Sequence, residues 1–326
     1  MIELSVVIPA YRAATFLPAC LDGLARQTAA RERFEVLVVD DASPDDGAAL
    51  AERWGARVLR HEHNLGAAAA RNTGAAAAQA GLLLFVDADV IPDEALVASV
   101  LALFADRGVD AATGRYAEQP ANDTRFARYK ALWTWHCWEE TAGRTGSSSH
   151  LQGALAAVRS EVLRGIGGFD ARYEGGNVED YEVSERLRKA GVAIVFDDRL
   201  RGRHHFPDGP TVARNYWDRT RMWVRLRAGS RSFSSGQAQG RSGLAAVAAV
   251  CGVSFLALPP LLPLSLLAQG VWLATSAPFL TLALRRGGPR FLAYTTGVHY
   301  GLQVIVGLAA LSAPFGRGSR GAGATP

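Results

Sequence analysis

Four apolar runs in the N-terminal part of the chain, "LSVVIPA", "FEVLVVDDAS", "ARVLRHE" and "GLLLFVDAD", each break off in turn or polar residues. Ala- and Leu-rich helix candidates fill the intervals between them. A strand with one solvated face alternates in polarity, whereas an unbroken apolar run needs cover on both faces. Short runs of this kind alternating with helices read as an α/β domain, a sheet between helical layers. Ligands on such sheets settle beyond the carboxyl ends of the strands, and Asp40, Asp41, Asp87 and Asp89 all stand at such ends.

A different texture begins near Leu244. The segments "LAAVAAVCGVSFLALPPLLP", "LSLLAQGVWLATSAPFLTLAL" and "FLAYTTGVHYGLQVIVGLAAL" contain no charged residue. A helix that spans a bilayer needs about 20 apolar residues at a rise of about 1.5 Å each, and all of these segments reach that length. They read as membrane helices, with a buried hydrophobic bundle as the alternative. Arg285, Arg286 and Arg290 lie between the second and third segments and assign that connection to the cytosolic side. Gly297, His299, Gly301 and Gln303 dilute the third segment, so whether 291–312 crosses stays open. Ahead of these segments, "TVARNYWDRTRMWVRLRAG" places Val212, Tyr216, Trp223 and Leu226 at helical spacing among arginines, the pattern of an interfacial helix on an anionic leaflet. The organisation expected is an α/β domain over 1–230 with 210–230 as that interfacial helix, and a linker over 231–243. A membrane region of two or three hydrophobic helices over 244–312 and a flexible tail over 313–326 complete it.

Charge argues against a nucleic-acid partner, because 35 Lys and Arg stand against 31 Asp and Glu for a net charge of +4. Cys20, Cys137 and Cys251 are too far apart in sequence for a metal-spaced pair, so neither a disulfide framework nor a structural zinc site is expected. The start "MIELSVVIPAY" has no basic region, long apolar stretch or cleavage site of a signal peptide, so the N-terminal part is expected in the cytosol.

The segment "LLLFVDADVIP" carries the chemistry. Residues two apart on an extended chain point the same way, so Asp87 and Asp89 can aim at one point. Two ionised carboxylates there repel unless something positive sits between them, and a hard divalent cation, Mg²⁺ or Mn²⁺, suits oxygen ligands and keeps positions for phosphate. A nucleotide diphosphate is then a natural third party. The alternative is a turn or helix cap before "PDEALVASV". Arg71 and Asn72 in "NLGAAAARNTG" are candidates for phosphate or sugar contact, or residues of a helix surface.

In order, "SVVIPAYRAATFLPACLDGLARQT", "FEVLVVDDASPDD", "NLGAAAARNTG", "LLLFVDADVIP", "LQGALAAVRSEVLRGIGGFD" and "EDYEVSERLRKAG" resemble the family 2 inverting glycosyltransferases, in their membrane-anchored bacterial form, over roughly residues 3–225. The resemblance implies a GT-A domain, a Rossmann-like nucleotide-diphospho-sugar transferase fold, followed by C-terminal transmembrane helices. It implies a base pocket lined by Pro9, Ala10, Tyr11 and Asp40, and a diphosphate and metal motif of Asp87 and Asp89. Asp180, with Glu179 beside it, would be the base that takes the acceptor proton. His204 or His205 in "GRHHFPDGP" would add a metal ligand, His205 being the candidate, or else form a surface pair. Trp133, Trp135 and Gly153 are candidates for the acceptor side, with a core cluster as the alternative for the tryptophans. Helix capping is the alternative for Glu179 and Asp180, and a capped turn for Asp40, Asp41 and Ser43. Leu155 stands where the family often has Asn, and no QxxRW motif follows, which favours a single transfer over polymerisation.

The expected activity is inverting transfer from a nucleotide-diphospho-sugar, UDP type as the commonest family choice, to a lipid-linked or glycan acceptor in cell-envelope glycan or glycolipid synthesis. The place is the cell inner membrane or cytoplasmic membrane, with the catalytic domain cytosolic. A polyprenyl-phosphate sugar synthase and a non-catalytic nucleotide-sugar-binding membrane scaffold are the alternatives.

Overall fold

The computed structural model describes residues 1–106, 108–142, 145–172, 179–228 and 240–313. Of the expected linker and tail, all but residues 240–243 and 313 lie outside these, and so does the side chain of Leu226. The chain forms two compact units, Met1–Phe206 and Pro207–Pro326.

The strands of the first unit are β1 (Leu4–Ala10), β2 (Phe34–Asp40), β3 (Arg57–Arg60), β4 (Leu82–Val86), β5 (Val90–Pro92), β6 (Ala111–Tyr116), β7 (Thr145–Ser148), β8 (Leu155–Arg159) and β9 (Ile194–His204). Its helices are α1 (Leu17–Ala25), α2 (Gly47–Trp54), α3 (Ala67–Ala77), α4 (Leu96–Phe104), α5 (Arg125–Ala142), α6 (Ser160–Gly165) and α7 (Glu179–Lys189). One sheet runs in the order β3-β2-β1-β4-β8-β6-β9-β5, and β7 pairs with β9. The half built from β3, β2, β1 and β4 is parallel, while β8 is antiparallel to both β4 and β6.

The unbroken apolar runs are explained by the two cores they separate. Val6, Ile8, Val36, Val38, Leu84 and Val86 face one cluster with α1 and α4, while Val7, Leu37, Val39, Leu83 and Phe85 face another with α3 and α7. Gly74 lets α3 press onto the sheet, since a Cβ there would stand 2.3 Å from Val7 Cγ1. Gly114 does the same at the β6–β9 bulge, where its Cβ would meet the Leu200 carbonyl oxygen at 1.8 Å. The run in "ARVLRHE" is β3 at the sheet edge, and its arginines are exposed, as suits a strand that must not recruit a neighbour.

The second unit holds α8 (Gly209–Ala228), α9 (Gly240–Leu256) and α10 (Leu262–Ser312). Gly288 breaks α10 with φ 70° and ψ −174°, just before Pro289. Gln269 Nε2 then donates to Tyr300 Oη at 2.7 Å, and the Trp272 and Tyr300 rings meet at 4.8 Å, so the chain folds back on itself. Tyr300 Oη donates to the Ala249 carbonyl at 3.2 Å, and Ser265 Oγ to that of Gly252 at 2.7 Å, which fastens α9 to both arms. By length and composition, Pro259–Ser312 is apolar and long enough to cross a membrane, whereas α9 is shorter.

Candidate active site

The carboxyl ends of β1 and β2 meet in two tight turns. Arg12 (φ 52°) and Ala42 (φ 58°) adopt left-handed backbone, a cost for side chains with a Cβ that hydrogen bonds around them offset. Asp41 N donates to the Ala10 carbonyl at 2.8 Å, Arg12 N to Ser43 Oγ at 3.0 Å, and Ser43 N to Asp40 Oδ1 at 3.1 Å. Pro9 and Ala10 end β1 beneath this crossing, Asp40 is buried, and Tyr11 projects at 45% exposure. Asp40 therefore caps its turn while standing at the mouth of the sheet.

Asp41 has a different task. Its carboxylate accepts from Leu65 N and Gly66 N, each at 2.8 Å, and from His61 Nδ1 at 2.7 Å. His61 Nε2 lies 2.9 Å from Thr73 Oγ1. The network clamps the loop that leads into α3.

On α3, Arg71 is 4% exposed, neither a surface residue nor an open phosphate contact. Its Nη2 donates to Asp87 Oδ1 at 2.7 Å and its Nη1 to Glu179 Oε1 at 3.0 Å, joining the strand-end carboxylate to the acid pair at the start of α7. Gly153, expected on the acceptor side, is what admits the guanidinium: a Cβ would stand 3.1 Å from Arg71 Cζ. Both carboxylates favour the charged guanidinium more than burial disfavours it. Burial raises Glu179 above the usual carboxyl range, with Arg71 opposing and Asp180 adding to the rise. Asn72 pairs with the backbone of Phe169 in both directions, at 2.8 Å each, and packs on Gly168 (φ 73°), so it holds the "GGF" turn rather than a ligand.

Asp89 lies in the turn between β4 and β5, and the register Val90↔His204 brings the end of β9 beside it. His204 Nε2 stands 3.2 Å from Asp89 Oδ2. His205 instead donates its backbone N–H to the Asp89 carbonyl at 2.9 Å and packs its ring on Phe16 at 4.5 Å. Burial, the largest single influence, raises Asp89, but the His204 imidazole together with a backbone hydrogen bond and nearby His205 holds the carboxyl below its usual range. No cluster of three or more His, Cys, Asp or Glu able to hold a metal occurs among the described residues. Asp89 Oδ1 is nonetheless buried with no hydrogen-bond partner there, and Asp87 is 30% exposed. An orphaned carboxylate oxygen beside a second carboxylate fits a hard cation that takes its other ligands from diphosphate and water.

Asp180, the second residue of α7, caps that helix through Tyr181 N to Oδ1 at 2.9 Å, and its side chain is 25% exposed where that of Glu179 is 6%. Its Oδ2 stands 3.3 Å from His150 Nε2, a neighbour that no local pattern marks, since 30 residues separate the two. On α5, Trp133 and Trp135 are half-buried. One face of Trp135 is covered by the guanidinium of buried Arg115 at 3.3 Å, itself paired with Glu139 and Asp198 at 2.6 Å each. Trp138 is core, stacked on Phe196 at 5.2 Å.

Residues 5–167 match the family model described as Glycosyl transferase family 2. The Pre-mycofactocin glycosyltransferase of Mycobacterium tuberculosis is 30% identical over 204 residues, 60% of this chain and 41% of that protein. Validoxylamine A glucosyltransferase of Streptomyces hygroscopicus subsp. jinggangensis is 43% identical over 224 residues, 59% of this chain and 53% of that protein. The matched part thus spans about half the length of these curated relatives. Among solved structures, mannosyltransferase PcManGT from Pyrobaculum calidifontis, in complex with GDP-Man and Mn2+, superposes with a TM-score of 0.57 at 21% identity, covering 96% of this chain and 87% of that one. That likeness identifies the fold of the first unit as GT-A.

Proposed function

Because the chain belongs to glycosyl transferase family 2, we propose that it transfers a sugar from a nucleotide-diphospho-sugar to an acceptor hydroxyl or phosphate with inversion at the anomeric carbon. The observation that carries this reading is the link Asp87–Arg71–Glu179, which ties the strand-end acid Asp87 to the acid pair at the start of α7. Pro9, Ala10, Tyr11 and Asp40 receive the base, and Asp87 and Asp89 face the diphosphate. Mn²⁺ or Mg²⁺, held by Asp89 with Asp87 assisting, would supply the Lewis acidity that neutralises charge on the departing diphosphate. Asp180 takes the acceptor proton as the acceptor oxygen bonds to the anomeric carbon. The carbon–oxygen bond to the diphosphate breaks from the opposite face, and its electron pair leaves with the nucleotide. With a phosphate acceptor already ionised, as on a polyprenyl phosphate, no proton need be removed.

The second unit supports a membrane site for this chemistry. Along α10, Ser265, Ser276, Thr295, His299 and Gln303 are buried, while Leu266, Leu267 and Leu311 are 64–65% exposed. Such an inverted surface suits lipid better than water. A hairpin of α9 and the arms of α10 holds the catalytic unit at the cytosolic face of the cell inner or cytoplasmic membrane, with Arg285, Arg286 and Arg290 on that side. The acceptor is then lipid-linked, in the synthesis of cell-envelope glycan or glycolipid. A non-catalytic scaffold has no need of the buried charge link. The test is a panel of UDP- and GDP-sugars with membranes and Mn²⁺ or Mg²⁺, following nucleotide release by wild type and Asp89→Ala. Acceptor-dependent release that Asp89→Ala abolishes supports the reading, and equal release by both proteins overturns it.

A further inference from the structure

His150 lies between β7 and β8, 4% exposed at its side chain, with Nε2 3.3 Å from Asp180 Oδ2. Its ring stacks on that of Tyr181, at 4.3 Å and 26°, with the Trp138 ring at 6.4 Å and 28°. The backbone is pinned as well. Ser184 Oγ accepts from Leu151 N at 2.9 Å and donates to the Asp180 carbonyl, so one hydroxyl fixes the His150 segment against the first turn of α7. Ser148 Oγ accepts from His150 N at 3.0 Å. His150 Nδ1 is buried with no hydrogen-bond partner among the described residues. Nε2, facing Asp180, is thus the ring nitrogen with a polar neighbour, and it can donate a hydrogen to that carboxylate.

We infer that His150 is a positioning residue for Asp180, its Nε2–H donating to Oδ2 and fixing the plane of the carboxylate that receives the acceptor proton. This rests on Asp180 being the base in the function proposed above. With Oδ1 bound to Tyr181 N and Oδ2 facing His150, both oxygens are oriented. A carboxylate free to rotate would meet the acceptor hydroxyl in few of its orientations, and misplacement by about 1 Å can cost up to about 100-fold in rate.

The experiment is steady-state kinetics of the full chain in detergent for His150→Phe, His150→Gln, Asp180→Asn and the double variant His150→Phe/Asp180→Asn. Phenylalanine keeps the stack and deletes the donor; glutamine returns an N–H near the position of Nε2. The expected result is a kcat lowered roughly 10- to 100-fold in His150→Phe, with donor KM within about twofold, and substantial recovery in His150→Gln. The double variant should be no slower than Asp180→Asn alone, because His150 acts only through that carboxylate. Wild-type kcat in His150→Phe, a folded His150→Gln as slow as the phenylalanine variant, or losses that multiply in the double variant would overturn the inference. A fully active Asp180→Asn removes the base assignment and His150 with it; an inactive Asp180→Asn beside a fully active His150→Phe removes His150 alone. Should His150→Phe fail to fold, His150→Gln against the shorter His150→Asn decides, since only the longer amide reaches Oδ2.

Discussion

Replacing Arg71 by alanine strands two carboxylates at once, and the size of the loss follows from their surroundings. The bond to Glu179 is buried on both sides and charge-assisted, worth about 1.5–3 kcal/mol. Asp87 is 30% exposed, so water recovers part of that bond and it counts for about half as much. The total falls at about 2–4.5 kcal/mol, overlapping the range for removing one partner of a buried pair. It must also depend on pH. Glu179 titrates above its ordinary value in the folded state, so its ionisation costs stability as pH rises through that folded value, and below the unfolded value it costs none. Arg71 is a group that lowers it, so its removal widens the window upward, and the penalty of Arg71→Ala should be smallest near pH ~4.5 and grow toward neutrality. Urea unfolding by tryptophan fluorescence at about pH 5 and about pH 7.5, for Arg71→Ala, Glu179→Gln and the double variant, reads both effects. The double variant should be less destabilised than the sum of the singles by about 1.5–3 kcal/mol at the higher pH. Additivity within about 0.5 kcal/mol, or a pH-independent penalty, would refute the link between the acid sites.

Asp41→Ala leaves the Leu65 and Gly66 N–H groups and buried His61 without their acceptor, and a loss of about 1–3 kcal/mol is expected in the same unfolding assay. Gly153→Ala forces the Arg71 guanidinium to shift by a few tenths of an ångström, so kcat should fall about 10-fold or more with a small change in melting temperature. Gly74→Ala drives a methyl into Val7 and should cost about 1–3 kcal/mol by overpacking, measured by thermal unfolding. Leu266→Asp, at 64% exposure on the hairpin, should weaken insertion by about 2.5–3.5 kcal/mol and raise the fraction released by alkaline carbonate; unchanged retention would argue that this face does not meet lipid.

The sheet was legible because its signal is local: an unbroken apolar run has two buried faces, and β1, β2 and β4 are buried almost throughout. The strand-end position of Asp40 and Asp87 followed from the same signal, whereas Asp89 stands two residues further on in the turn before β5, where Val90 N bonds back to the Asp87 carbonyl, and not on an extended chain beside Asp87. Long-range pairing was not legible. Arg71 reads as a phosphate contact or a helix-surface residue until the fold brings Glu179 to it across 108 positions, and Gly153, expected on the acceptor side, shows its packing role only when a guanidinium fills the space of its missing Cβ. In "GRHHFPDGP" the family resemblance favours His205, but the Val90↔His204 register puts His204, not His205, against the Asp89 carboxylate. The interruption of α10 was half visible in Arg285, Arg286 and Arg290 between the second and third apolar segments, whereas the return of Tyr300 onto Gln269 depends on packing that no periodicity encodes.

The central assignment is that Asp180 removes the acceptor proton while the strand-end acids hold the donor. Acceptor-dependent nucleotide release by Asp180→Asn, with donor affinity measured on the same preparation, tests it most directly. Release should fall by about 10²- to 10⁴-fold while donor affinity stays within about twofold of wild type. Release at the wild-type rate with donor affinity intact would contradict the assignment of the base.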